Sequence, residues 1–231
     1  MKATSLIWYF DKDLRNVDDK KFKDMRVAEK VGIINRAIDV FFEKVFANRG
    51  KDPRFERWLK PLYKDNVPLV KEKDFENYTL FKFPDKMEQI TSVYVNVKKG
   101  NCESYFEANP ILKQSAIAAI NNSMWEPSFE FEQTFRTMDE GGISIYHKSA
   151  FEIVKAVSNY VKRPNHIHAP GLAKNNEEKY VYHDGQTIDK NVDLDFGEGA
   201  YIPIVEIAVM LAVDNPSDMN LEINKKLSIN N

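Results

Sequence analysis

The sequence predicts an α+β fold in which an N-terminal αα-hairpin and a C-terminal helix bundle together, with a central antiparallel β region. Three observations carry that expectation. Apolar residues recur at helical spacing from Val27 to Val45. Val93, Val95 and Val97 then alternate with Tyr94, Asn96 and Lys98, which is the period of a half-buried strand. Finally, Ala200–Asp214 is apolar on nearly every side, as a buried helix must be. The expected division is a helical segment over 1–70, a β region with a long loop over 71–199, and terminal helices over 200–231 that return to the first segment as one structural unit.

In chain order, Leu6–Phe10 is an apolar run closed by Asp11, too short for a secretory signal, so the chain is expected in the cytosol after synthesis. Residues 18–48 form the first helix. Val27, Val31, Ile34, Ile38, Phe41 and Val45 fall on one stripe, while Lys30, Arg36, Asp39 and Glu43 fall off it. Asn48-Arg49-Gly50 stops that helix, and Asp52-Pro53 caps and opens a short second one carrying Phe55, Leu59 and Leu62. Tyr78–Phe83 reads as a strand ended by Pro84-Asp85, and Ile90–Lys98 as its successor. Pro110–Ile120 suits a short helix or an ordered loop. Phe129, Phe131 and Phe135 alternate with charged residues and suggest a strand. Gly141-Gly142 separates Gln133–Met138 from Ile143–His147 as a hairpin turn does. Phe151–Lys162 suits a helix through Ile153, Val157 and Tyr160 or a strand through Phe151, Ile153, Val157 and Val161; its β-branched residues and the stop at Arg163-Pro164 favour the strand. Residues 164–199 read as a long polar loop, and Pro216-Ser217 separates the apolar helix from a last short one containing Leu221 and Leu227.

The chemistry-bearing residues form no catalytic set, and neither an enzyme activity nor a cofactor or metal is expected. With hydrophobic residues at 43% the chain has material for a core, and it contains no apolar run of membrane-spanning length. Cys102 is the single cysteine, which excludes an internal disulfide and multi-cysteine metal sites. His166-Ile167-His168 puts two imidazoles on one strand face, but a third ligand must come from far away in sequence. Gly197-Glu198-Gly199 precedes a helix without the spacing of a phosphate-binding loop, and Asp193, Asp195 and Glu198 repel an anion there. Asp184, Asp189, Asp193 and Asp195 lack the order of a calcium-binding loop.

Charge is unevenly spread. Residues 1–64 hold 16 Lys and Arg against 10 Asp and Glu, a net of +6; residues 65–231 hold 17 against 25, a net of −8. A dipolar chain of this kind suits head-to-tail contacts between copies. Sequence-specific nucleic-acid binding is disfavoured, because basic and acidic residues interleave.

Several segments together resemble a known family. They are RAIDVFFEKVFANRGKDPRFERWLKPLYKD, YTLFKFPDKMEQITSVYVNV, NSMWEPSFEFEQTF before the Gly-Gly turn, VSNYVKRPNHI, and YIPIVEIAVMLAVDNPSDMNLEINKKLSIN. Their order is similar to that in the neck proteins (ring or head–tail adaptor proteins) of crAss-like and other short-tailed bacteriophages. The resemblance implies a structural virion protein. Such proteins form a ring, commonly of twelve copies, between portal and tail. The ring extends the DNA channel and docks the next tail layer. The implied partners are the chain itself, the portal protein and other neck or tail proteins, with double-stranded DNA passing unread and no membrane involved. The implied location is the virion neck, and the host cytoplasm before assembly. Interface side chains are sought at Tyr94, Trp125, Phe129, Phe131, Arg163 and Tyr201. The alternatives are a metal-dependent hydrolase or nuclease using the Asp184–Asp195 loop, and a cytosolic binding module.

Overall fold

The computed structural model describes residues 1–18, 25–84, 86–139, 141–172 and 190–213. The chain divides into two compact units. The first combines residues 1–62 with 164–231, and the second is the intervening stretch 63–163.

The first unit is helical: α1 (Ala3–Asp18), α2 (Val27–Ala47), α3 (Pro53–Leu59) and α5 (Tyr201–Val213). On α2 the predicted stripe is the buried one, with Val31, Ile34, Ile38, Phe41 and Val45 all enclosed. α1 buries Ala3, Leu6, Ile7, Phe10 and Leu14, again one helix face. α5 packs against both α1 and α2. Side-chain caps tie the ends together. Asp52 accepts from the Arg54 amide at 2.8 Å and starts α3, and Asp193 accepts from the Ala3 amide at 2.9 Å and starts α1. The Asn35 amide group on α2 pairs with both backbone groups of Ile167, at 2.8 and 3.2 Å, and so supplies the hydrogen bonds a neighbouring strand would have given.

The second unit is one eight-stranded sheet in the order β1-β8-β4-β5-β6-β7-β3-β2. Its strands are β1 (Tyr63–Pro68), β2 (Lys71–Asp74), β3 (Tyr78–Phe81), β4 (Met87–Lys99), β5 (Cys102–Pro110), β6 (Thr134–Asp139), β7 (Gly142–Tyr146) and β8 (Glu152–Lys162). Val93, Val95 and Val97 of β4 face a core with Phe106, Ile143, Ile145 and Ile153. On the other sheet face, Phe135 and Tyr146 form a smaller cluster with Ala116 of α4 (Lys113–Ile120). The Gly141-Gly142 turn joins β6 to β7 as expected. Gly142 adopts φ +140, and a Cβ there would lie 2.2 Å from the Phe81 carbonyl oxygen.

This architecture corrects the predicted fold. Among the described residues the helices number five, not a hairpin plus a terminal helix, and helix makes up about 37% against about a third strand, so this is no helix-dominated bundle. The sheet is mixed, not antiparallel, because β5 and β6 run parallel. The physical reason is the connection between them: residues 111–133 carry the chain back through α4, the crossover that a parallel pair requires. Phe129 and Phe131, read as strand residues, lie in a turn ahead of β6. The expected last helix with Leu221 and Leu227 lies outside the described residues, as does the 173–189 part of the expected loop.

Candidate interaction surface

The crossover from β5 to β6 displays the most exposed large apolar side chains of the second unit. α4 has its polar residues, Lys113, Gln114 and Ser115, in its first turn and is apolar over Ala116–Ile120. Ala116 is buried against Phe135 and Tyr146, and Ile111, Ala119 and Ile120 pack half-buried beside it. On the outside, Leu112 is 70% exposed and Ile117 72%. Two turns follow. Asn122 accepts from the amides of Trp125 and Glu126 at 2.9 and 2.8 Å, and its side chain accepts from the Met124 amide at 3.0 Å. These turns present Met124, 81% exposed, and Trp125, 63% exposed. Next, Ser128 and Gln133 exchange two backbone hydrogen bonds of 2.9 Å around a turn in which Glu132 takes φ +51. Phe129 turns inward onto Phe106, with ring centroids 5.8 Å apart, while Phe131 projects outward.

Polar braces hold this display in place. Lys148 donates to the Ile120 carbonyl at 3.0 Å and pairs with Glu126, clamping the end of α4 to the turn behind it. Lys99 pairs with Glu130, and that hydrogen bond holds the Glu130 carboxyl below its ordinary range. Ser104 donates to Glu132 at 3.2 Å. The apolar side chains therefore stand on a tethered loop, with part of the ordering cost of a later contact already met.

The other expected interface residues are dispersed. Tyr94 lies on the outer face of β4, stacked on the exposed Tyr105 at 5.5 Å and an interplanar angle of 10°. Arg163 is exposed just after β8, where its amide donates to the Lys86 carbonyl at 2.7 Å. Tyr201 opens α5 in the first unit and packs half-buried on Tyr9 at 5.4 Å. Trp125, Phe129 and Phe131 thus belong to one segment, and Tyr94, Arg163 and Tyr201 do not join them there. Leu112, Ile117 and Met124 were not singled out by sequence reasoning. Their signal was the unbroken apolar run Ala116–Ile120, with Leu112 before it and Met124 beside Trp125.

The charged candidates have other duties. Asp193 caps α1, and Asp195 accepts from the Asn165 amide at 3.1 Å. Asp184 and Asp189 lie outside the described residues. His166 faces the Asp39 carboxylate at 3.0 Å, whereas His168 is buried and exchanges backbone hydrogen bonds with Val192. Among the described residues no group of three or more potential ligands converges on a metal position. Cys102 is exposed. A 510 Å³ groove in the second unit is lined by Lys71, Asp74, Lys98, Lys99 and His147, but Lys71 pairs with Asp74 and Lys99 with Glu130. Burial pushes His147 below its ordinary value, and the Ser149 amide donates to its Nδ1 at 3.1 Å, placing the ring proton of the neutral form on Nε2. A 420 Å³ cavity in the first unit is walled by Tyr9, Phe196, Gly197, Gly199 and Tyr201.

No family model matches the sequence, and no curated protein is significantly similar to it.

Proposed function

We propose that the protein is a structural virion component that acts through surfaces offered to copies of itself and to adjacent layers. The observation that supports this most is the tethered crossover, where Leu112, Ile117, Met124, Trp125 and Phe131 are each more than 60% exposed. Scattered exposed apolar residues are ordinary on a monomer. Five large ones on about twenty consecutive residues are what an interface presents before its partner arrives.

The resemblance of the sequence to phage neck proteins supplies the setting. The chain would form a ring between portal and tail, extend the DNA channel, and dock the next tail layer. It would touch passing DNA without reading its sequence. Its place would be the virion neck, after a period in the host cytoplasm. No catalytic step belongs to this reading. Asp193 and Asp195, two carboxylates of the alternative acidic-loop hydrolase, each accept a hydrogen bond from a backbone amide.

The test is to purify the full chain together with the portal and neck proteins encoded beside it and to image the product. Rings of this chain stacked on the portal are expected. A chain that stays monomeric next to the portal and binds no neck protein would overturn the reading. Recovery of one host protein and no virion component would point to a binding module.

A further inference from the structure

Two surfaces of the chain complement one another. α1 turns Ala3, Leu6, Ile7, Phe10 and Leu14 inward. At 3.6 residues per turn, Trp8, Lys12 and Arg15 then share the opposite, outward face. Trp8 is 58% exposed, with the Lys12 ammonium 5.6 Å from its ring centroid. This face is aromatic and cationic, and Trp and Arg are among the residue types enriched at interface hot spots.

The crossover segment has the opposite character. Residues 101–133 contain five glutamates, at 103, 107, 126, 130 and 132, against Lys113 alone, a net of −4. Lys113 pairs with Asp139, Glu126 with Lys148 and Glu130 with Lys99, so the excess negative charge of the segment rests on Glu103, Glu107 and Glu132. Glu107 stands exposed on β5 shortly before α4, and Glu132 stands exposed beside Phe131. The exposed apolar side chains therefore sit within an acidic surround. A partner for them must combine apolar area with positive charge, and the outward face of α1 does so.

We propose that copies of this chain join head to tail, the outward face of α1 in one copy seated on the 112–131 segment of the next. The contact rests on the assembly reading above and gives it an address. The two surfaces differ, so the contact is heterologous: it repeats from copy to copy and closes into a ring when the rotation allows, whereas a self-complementary patch stops at a dimer. Trp8 and the apolar side chains of the crossover supply the desolvated centre. Lys12 and Arg15 against Glu107 and Glu132 set orientation and raise the rate of encounter.

Zero-length carbodiimide cross-linking of a mixture of unlabelled and isotope-labelled full chain reads the contact directly. The expected links join Lys12 of one isotope to Glu107, Glu126 or Glu132 of the other. Lys12→Glu with Arg15→Glu should weaken self-association roughly tenfold or more while the thermal midpoint stays at the wild-type value. Mixing that variant with Glu107→Lys, Glu132→Lys chain should restore association. Links confined to one isotope would mean that α1 meets the segment within its own chain, and links from α1 to α1 would mean an isologous pair; either overturns the proposal. If wild-type chain forms rings on the portal and the α1 variant enters them equally well, this contact is wrong and the assembly reading stands. If wild-type chain associates with neither itself nor the portal, both fall.

Discussion

α2 and α4 are both rich in apolar residues, and they use them in opposite ways. α2 keeps its apolar residues on a stripe and its charges off it, so the rest of the first unit can cover all that needs covering; Ile34, Ile38 and Phe41 have no exposed surface at all. α4 buries Ala116 beneath it and leaves Leu112 and Ile117 in solvent. Hydrophobicity alone does not separate the two. What separates them is where the polar residues stand: α4 has Lys113, Gln114 and Ser115 in its first turn and none over Ala116–Ile120, so apolar surface is left over after folding.

The contrast can be broken at its strongest point first. Phe41→Ala removes a ring that touches Trp58 and Phe196, at centroid distances of 5.4 and 5.1 Å. A loss of about 3–5 kcal/mol is expected, read as a lower denaturation midpoint. A loss under about 1 kcal/mol would mean that the α2 stripe is not the centre of the first unit. Gly197→Ala comes next. Its added methyl would meet the Arg57 carbonyl oxygen at 2.2 Å, in a segment whose amide donates to the Trp58 carbonyl at 2.8 Å. The expected cost is about 1–3 kcal/mol, by equilibrium unfolding.

A smaller effect is expected at the strand end that supports α4. His147 follows Tyr146, and burial holds its folded pKa below the ordinary 6.5. The unfolded chain therefore takes up the proton first. Stability should be complete above about pH 6.5 and should decline as pH falls from there toward the depressed folded value. Thermal melts across that range should show the slope in wild type and a flatter profile in His147→Gln; equal slopes would dismiss the imidazole as the cause. Smallest of all, Ile117→Gln on the outer face of α4 should leave monomer stability within about 0.5 kcal/mol. A large loss would show that Ile117 is covered in solution, and the comparison between the two helices would fail.

Much of the local structure was legible because period is a local property. The α2 stripe, the alternation on β4 and the Gly141-Gly142 turn could each be read within about twenty residues, whereas β8 fitted a helical spacing as well and was favoured as a strand by its β-branched residues. Two things were not. α1 was missed because Leu6–Phe10 was weighed only as a targeting segment; its stripe needs Ala3 and Leu14 to show the helical spacing. The parallel pairing of β5 with β6 depends on a register such as Ala108 opposite Thr134, joined through a crossover, and nothing within either strand announces a parallel neighbour. The surface was half legible. Trp125 and Phe131 stood out as large aromatics in a loop. Phe129 has the same composition signal yet turns inward onto Phe106, a choice made by the turn geometry and not by the residue type.

The carboxylate of Asp193 that starts α1 is 190 residues downstream of the amide it receives. A ribosome therefore exposes α1, α2 and α3 long before the cap of α1 and before α5 exist. The intervening sheet, residues 63–163, is fully synthesised while the helices on its N-terminal side still lack their last partner. Nascent helices with an uncovered apolar stripe are what chaperones hold. Termination between residues 163 and 201 would yield a complete sheet attached to unfinished helices. Only chains translated at least past α5 can complete the helical unit, a check on completeness imposed by the order of synthesis.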